Sequence, residues 1–455
     1  MSGSRLARVT VLLLLALLGP RDARADDNHH QNYLVGERAV GLGGAFTAIA
    51  DDASANYYNP AGLAEIGRSS LSVSAGMYGF NIQNIDVNVP GLSDSGKNPN
   101  STFISYPTTA AWIQVVRRGD DHGVGRLQLS LSLLTPQSNV TRRRINLRLA
   151  TGVGSLTGTS DSLLYSIAED DTLWVGLGAG YKVTRWLSVG AAIHLAIRSA
   201  RYQTHLYSLL DIRVGTTIID QLSRPTTAVA SLLHFGLIGQ AGVIARPTEH
   251  LRFGAMFRTP LLRLSGRVDY NAIVVRQVEG QAQPSVDIVD ERGDFIDKQP
   301  FRLAFGAAYI KTRRFGLSLD FSVYGGYDSY NVVEVASGAL PQKKRPIWQL
   351  NAGAELYLAR RFPIRLGFFT NLSSLDIEDN CPSITASCYQ LLLNPTSDWT
   401  DRYGVAGSFG YERGRYTLTL AWAFNFGARK VTVQTAELDS FRALLFLVVG
   451  ASFRF

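Results

Sequence analysis

Along most of this chain, apolar residues alternate with polar or small ones. In YTLTLAWAFNF (Tyr416–Phe426), Tyr416, Leu418, Leu420, Trp422, Phe424 and Phe426 share one face, and Thr417, Thr419, Ala421, Ala423 and Asn425 share the other. A period of two marks a β-strand. RLQLSLSLL (126–134), WLSVGAAIHLAIR (186–198), FRLAFGAAY (301–309), FGLSLDFSV (315–323) and WQLNAGAELYL (348–358) repeat the pattern. In each, Leu, Val, Ile and aromatics occupy one face, while Gly, Ala, Ser and some charge occupy the other. The pattern predicts fourteen strands, at 69–82, 109–118, 125–136, 172–183, 186–204, 228–246, 250–271, 299–312, 314–328, 345–359, 362–373, 401–412, 415–429 and 440–455.

A soluble sandwich also alternates, so the connections discriminate. Short ones (RGDDHG, Thr184-Arg185, Pro247-Thr248-Glu249, Arg313, Arg360-Arg361, Arg413-Gly414) alternate strictly with long ones such as 272–298. An even strand count with short turns at one end and long extracellular loops at the other predicts an all-β fold. That fold is a transmembrane antiparallel β-barrel of the bacterial outer membrane.

The N-terminus fits that destination. MSGSRLARVTVLLLLALLGPRDARA carries Arg5 and Arg8, an apolar run from Val9 to Leu18 and a small-x-small end at Ala23-Arg24-Ala25. This predicts a signal peptide over 1–25. The run is about half of the roughly 20 residues a spanning helix needs. Its removal takes away four arginines and one aspartate, so the formal charge falls from +8 to +5. A mildly basic chain without a basic cluster gives no reason to expect nucleic acid as a partner. The two cysteines, Cys381 and Cys388, lie seven residues apart in DNCPSITASCYQ, where an oxidising compartment favours one disulfide pinning a loop tip.

One stretch breaks the alternation. GERAVGLGGAFTAIADDASANYYNPAGLAEI (Gly36–Ile66) is Gly-rich, then carries an ADDASA run, then Asn-Pro-Ala-Gly-Leu, directly before the first strand. It resembles the N-terminal segment of the FadL-type family, outer-membrane transporters of long-chain fatty acids and other hydrophobic compounds that include toluene-uptake channels. The resemblance implies that 26–67 form a hatch plugging the lumen, that 68–455 form the barrel, and that movement of the hatch gates uptake. It marks Asp51, Asp52, Asn59, Pro60, Ala61 and Gly62 as the hatch motif. The residues themselves agree: small side chains permit close packing, and Pro60 removes a donor and pushes Asn59 towards extended geometry. The family also implies sideways exit at a kink in the third strand, yet GRLQLSLSLLTP carries no internal Gly or Pro before Pro136. The final strand, LLFLVVGASFRF, ends on Phe455 and resembles the terminal aromatic by which outer-membrane barrels engage the barrel-assembly machinery.

If the large apolar side chains face lipid, the opposite parity lines the lumen. His194, Arg198, Arg252, Arg258, Arg302, Glu355 and Arg365 then point inward, as do Asp320, Gln349, Asn351, Asn371 and Arg402, among mostly Gly, Ala, Ser and Thr. Two roles stay open for the arginines: ion pairs tying hatch to wall, with Asp51 and Asp52 as natural partners, or a bidentate grip on a fatty-acid carboxylate. Around Pro260 the outward parity shifts from Leu251, Phe253, Ala255 and Phe257 to Leu262, Leu264, Gly266 and Val268, which predicts a bulge.

Nothing points to an enzyme. There is no GxSxG elbow, phosphate-binding loop, coenzyme fingerprint or metal-ligand cluster, so neither cofactor nor metal is expected. His194, near Ser188 and Ser199 in sequence, reads as a polar interior residue. The expected protein is a monomeric channel in outer-membrane lipid, carrying hydrophobic small molecules such as long-chain fatty acids. The alternative is a FadL-like barrel acting as a surface or secretion-associated scaffold. YSLLDIRVGTTIIDQL (207–222) and NAIVVRQVEG (271–280), read as apolar outer loops that collect ligand, favour uptake.

Overall fold

The computed structural model describes residues 29–31, 33–88, 92–94, 100–106, 109–153, 156–214, 217–278, 283–311, 314–336, 338–375, 399–433 and 436–455. The predicted leader (1–25) and the Cys381–Cys388 pair lie outside them. Twenty strand segments form one sheet. They are β1 (Ser70–Asn88), β2 (Leu92–Asp94), β3 (Asn100–Tyr106), β4 (Thr109–Arg117), β5 (Leu127–Val153), β6 (Leu156–Lys182), β7 (Leu187–Val214), β8 (Thr217–Ala245), β9 (Leu251–Arg258) and β10 (Leu262–Val278), followed by β11 (Ser285–Phe295), β12 (Arg302–Lys311), β13 (Phe315–Tyr324), β14 (Tyr327–Val335), β15 (Gly338–Lys344), β16 (Ile347–Leu358), β17 (Phe362–Asn371), β18 (Arg402–Arg413), β19 (Tyr416–Val433) and β20 (Ala436–Arg454). β3/β4, β9/β10, β11/β12, β13/β14 and β15/β16 each make one interrupted strand, and β2 only pairs with the outer end of β5. Fourteen antiparallel strands result. The first and last pair from Ser70↔Arg454 to Asn88↔Glu437 and close the barrel without a free edge.

The short turns fall where the sequence placed them, apart from Arg313, which lies outside the described residues, but the long loops do not. β5, β6, β7 and β8 run 27, 27, 28 and 29 residues, against the roughly 9–11 that cross a bilayer. The described parts of the apolar stretches expected to be loops, 207–214, 217–222 and 271–278, are strand ends that extend the wall outward. The reason is visible in β7: alternation outlasts the apolar belt, because outward positions become Ser199, Arg201 and Gln203 while the ladder with β6 and β8 continues. The third strand likewise does not end at Pro136. It continues to Val153, and its register against β6 shifts between Leu134 and Gln137, so the proline sits in a bulge.

Pro260 does interrupt its strand, between β9 and β10. A second register shift between Arg263 and Ser265 turns the parity again, so Val268, expected to face lipid, is buried inside at 1% exposure. Four neighbouring strands break just beyond the partnered positions Arg258, Arg302, Tyr324 and Ile347. There the chain turns into the lumen: Leu261 N and Tyr327 Oη donate to Gln299 O, and Lys344 Nζ donates to Lys298 O, each at 3.0 Å.

The two faces of the wall differ as alternation requires. Leu129, Leu131, Leu133, Leu177, Ile193, Phe253, Phe305, Leu319 and Leu366 are exposed on the outside, an apolar belt that only lipid covers favourably. The buried core lies inside, where residues from Tyr33 to Ala64 pack against inward positions such as Ile113, Trp174, Ile238 and Phe446.

Candidate functional site: the lumen and the segment inside it

The N-terminal segment is compact because small residues and turns let it fold on itself. Helix α1 (Glu37–Gly41) ends at Gly43 and Gly44, whose φ of 62° and 78° glycine adopts without strain. Helix α2 (Ala55–Tyr58) leads to Asn59, and a 3₁₀ turn follows over Pro60–Glu65. Asn59 is extended, its Oδ1 accepts from Ala61 N at 3.1 Å, and Pro60 takes the first helical position, which lacks an acceptor for an N–H anyway. Asn59, Pro60, Ala61 and Gly62 therefore form a capped turn, in a stretch buried from Ala53 to Ala64.

The wall is paved to receive it. A Cβ on Gly178 would lie 2.3 Å from Asn56 Oδ1, on Gly190 2.3 Å from the Pro60 carbonyl, on Gly242 2.0 Å from Asn59 Oδ1, and on Gly254 2.3 Å from Thr47 O. Gly353 and Gly367 give the same clearance to Leu42 and Gly43. Wall side chains then bond the segment's backbone: Asp320 Oδ2 accepts from Phe46 N and Thr47 N at 2.7 Å, and Asn351 Nδ2 donates to Gly43 O.

Two charged clusters hold the segment near the short-turn end of the barrel. In one, Arg38 pairs with Asp51 and with Glu355 (3.2 Å), Glu355 accepts from Arg365 (3.0 Å), and Arg252 reaches Asp51 (3.3 Å). Burial alone would raise the pKa of Asp51, but the guanidiniums of Arg38, Arg252 and Arg246 hold it down at about 2. Asp52, expected to pair with an arginine, instead accepts from Ser54 N and Oγ at 2.8 and 2.6 Å, and burial raises its pKa. In the other cluster, Glu65 takes Arg246 (2.7 Å) from just past β8, Lys182 (3.3 Å) from β6 and Ser188 (2.5 Å) from β7. Parity does not reveal Glu65; only its place at the end of the Asn-Pro-Ala-Gly-Leu turn hints at it. A cavity of 320 Å³ lies beside the first cluster, lined by Arg38, Asp51, Glu355 and Ser318 among others.

Deeper in, an aromatic layer crosses the lumen. Tyr57, Tyr58, Phe46 and Trp174 pack edge to face or tilted at 5.0–5.7 Å, and His194 lies 5.4 Å from Trp174. Arg258 sits over Trp174 (5.3 Å) and Tyr324 (5.8 Å), and Arg302 over Tyr324 (5.4 Å) and Tyr57 (5.9 Å). Beyond this layer Arg198 is clamped by Asp170 (2.6 Å) and Asp297 (2.8 Å). Thus His194, Arg198, Arg252, Arg258, Arg302, Glu355 and Arg365 all point inward, as do Asp320, Gln349, Asn351, Asn371 and Arg402. They form three layers rather than one site. Among the described residues, no group of three or more His, Cys, Asp or Glu could hold a metal ion.

No protein-family model matches the chain, and no curated protein matches it in sequence. Solved structures do match in shape. A Pseudomonas aeruginosa FadL homologue superposes with a TM-score of 0.63 at 12% identity, over 93% of this chain and 99% of that one. The Pseudomonas putida toluene transporter TodX gives 0.57 at 16% identity, over 92% and 97%. The monoaromatic hydrocarbon channel CymD gives 0.52 at 15% identity, over 92% and 97%. The chain has the FadL-type barrel fold.

Proposed function

We propose that this protein is an outer-membrane channel for uptake of hydrophobic small molecules, long-chain fatty acids among them, gated by movement of an N-terminal hatch over residues 26–67. One observation carries the reading: among the described residues, a segment inside the barrel is held to a glycine-paved wall by side-chain bonds, ion pairs and apolar packing, with no strand of its own in the sheet. Such an occupant can shift while every wall hydrogen bond stays made. A ligand that binds better to the shifted arrangement moves the equilibrium by that difference in affinity. The fold shared with a FadL homologue and toluene transporters supports the same class of cargo. In this reading the leader is cleaved after Ala25, and both termini and the short turns face the periplasm. Uptake of a long-chain fatty acid and of toluene, compared between cells lacking the protein, complemented cells and cells expressing a deletion of Gly36–Ile66, tests it. Equal uptake with and without the protein would overturn the channel reading.

A further inference from the structure

We infer that the rim formed by the short turns is a seat for anionic phospholipid, with arginines at the ends of the turns holding the phosphates of the leaflet that meets them. Four of these turns close in the same way. Arg185-Trp186, Arg314-Phe315, Arg361-Phe362 and Arg415-Tyr416 each put an arginine at the end of the turn and an aromatic residue directly after it. They lie apart around the barrel, at the starts of β7, β13, β17 and β19. All four arginines are exposed, and no carboxylate among the described residues lies within ion-pair distance of any of them. Trp186, Phe315 and Tyr416 are exposed too, and Phe362 is half-buried beside Phe409 (6.0 Å) and Tyr411 (5.3 Å). Tyr309 beside Phe315 (5.7 Å) and Phe453 beside Tyr416 (5.1 Å) continue the aromatic band.

Aromatic rings on a barrel wall sit at the level of the lipid headgroups, where hydrocarbon meets water. A side chain one residue nearer the turn then lies among the phosphates. Arginine suits that place, because its fork of donors matches phosphate oxygens and its charge is permanent. The rest of the rim carries the same sign. Arg68, Arg117, Arg118, Arg360 and Arg413 are also exposed at this end, against the exposed carboxylates Asp120, Asp121 and Glu249 among the described residues. Asp120 is already engaged with the N–H groups of His122 and Val124. Dispersed along the sequence, these arginines come together only when the barrel closes. A ring of one sign around the whole rim fits a lipid annulus, whereas a docked protein would call for the charge on one side. The turn between β16 and β17 adds a separate observation. Ala359 and Arg360 have φ of 47° and 60° and are the only non-glycine residues with positive φ among the described residues. Glycine adopts that conformation without strain, so the turn keeps an arginine where the backbone alone favours glycine.

Electron spin resonance of the full chain in phosphatidylcholine bilayers, with spin-labelled phosphatidylglycerol or phosphatidylcholine added in trace, tests the inference by giving the relative association of each lipid with the barrel. Phosphatidylglycerol should be preferred about five-fold at low salt, the factor that one cation beside an anionic headgroup supplies. The preference should shrink towards unity at about 1 M salt, where charges are screened within about 3 Å. Arg415→Gln alone should lower it part of the way. Arg185→Gln, Arg314→Gln, Arg361→Gln and Arg415→Gln combined should bring the two lipids to equal association. Arg142→Gln, Arg144→Gln, Arg201→Gln and Arg292→Gln combined, which removes as many exposed arginines from the long outer strand ends, should leave the preference in place. Equal association of both lipids with the parent chain would overturn the seat, as would a preference that survives loss of the four rim arginines or that the outer set abolishes equally. No lipid preference together with salt-sensitive binding of poly-glutamate, lost in the rim variant, would assign these arginines to an acidic protein instead.

Discussion

Asn59 spans from the N-terminal segment inside the barrel to the wall: its Nδ2 donates to Val243 O at 3.0 Å and to Thr47 O at 2.9 Å, while its Oδ1 caps the turn at Ala61 N. One side chain thus fixes the turn, the fold of the segment and its docking on β8. Asn59→Ala removes these three bonds, each worth about 1 kcal/mol net, and a longer one to Ala255 O, but touches no strand. The variant should fold as a heat-resistant barrel and show higher conductance in a planar bilayer than the parent chain. A conductance equal to that of the parent would mean that the turn plays no part in holding the plug.

The clearance at Gly242 leads to a second expectation. Gly242→Ala would place a Cβ 2.0 Å from Asn59 Oδ1, whereas Gly316→Ala, also inward, would meet nothing closer than 3.8 Å. Overpacking of this kind costs about 1–3 kcal/mol. In the first variant the strain falls on the plug, because β8 is held by its neighbours on both sides. Gly242→Ala should therefore raise leakage of small solutes and Gly316→Ala should not, with both barrels assembled at parental levels.

Glu65 anchors the end of the N-terminal segment where it joins β1. Its carboxylate is buried and answers two cations, Lys182 and Arg246, so Glu65→Gln leaves both uncompensated. Loss of one partner from a buried cluster costs about 3–5 kcal/mol. Limited proteolysis of the purified barrel should cut Glu65→Gln between residues 50 and 68 much faster than the parent. Lys182→Gln, which leaves Arg246 in place, should be cut at an intermediate rate.

Alternation made the wall legible from sequence, because a strand between lipid and lumen must put large apolar groups on one face and small or polar groups on the other. Leu319 at 50% exposure and Asp320 at 1% illustrate how sharply adjacent residues divide. The same rule failed at Val268, since a second bulge depends on the β8 partner and leaves no mark in the strand itself. It also failed for the outer hairpins. There the strands run on past the belt while the apolar positions change parity, as where Tyr207 and Leu209 give way to Leu210, Ile212 and Val214, so strand looks like loop. Asp51 was recognisable as an ion-pair partner from the hatch motif, but the role of Glu65 and the stacking of Arg258 and Arg302 on Trp174, Tyr57 and Tyr324 arise from contacts between residues far apart in the chain.

The division at β13 can be tested directly. Leu319→Glu places a charge in the apolar belt, where acidic residues cost somewhat less than the about 2–4 kcal/mol of a midplane lysine or arginine. Ser318→Glu points into the 320 Å³ cavity, where arginines already lie. Accumulation of folded barrel in outer-membrane fractions should fall for Leu319→Glu and stay near parental for Ser318→Glu. Equal loss in both would contradict the assigned faces.

The last prediction concerns acid. Asp51 is held at a pKa of about 2 from an ordinary 3.8, against the opposing effect of burial, by Arg38, Arg252 and Arg246. A depressed carboxyl pKa means the docked plug binds fewer protons than the released one. Its stabilising contribution is therefore full above about pH 4, declines as pH falls, and is gone below about pH 2. The shift corresponds to about 2 kcal/mol in favour of the docked plug at neutral pH. Planar-bilayer conductance of the parent should rise as pH is lowered from 4 to 2. Asp51→Asn, which cannot ionise, should show the raised conductance already at pH 7 and lose the part of the acid response that Asp51 supplies. A conductance for Asp51→Asn that matched the parent at pH 7 and rose with it in acid would show that the Arg38–Asp51–Arg252 cluster does not hold the plug.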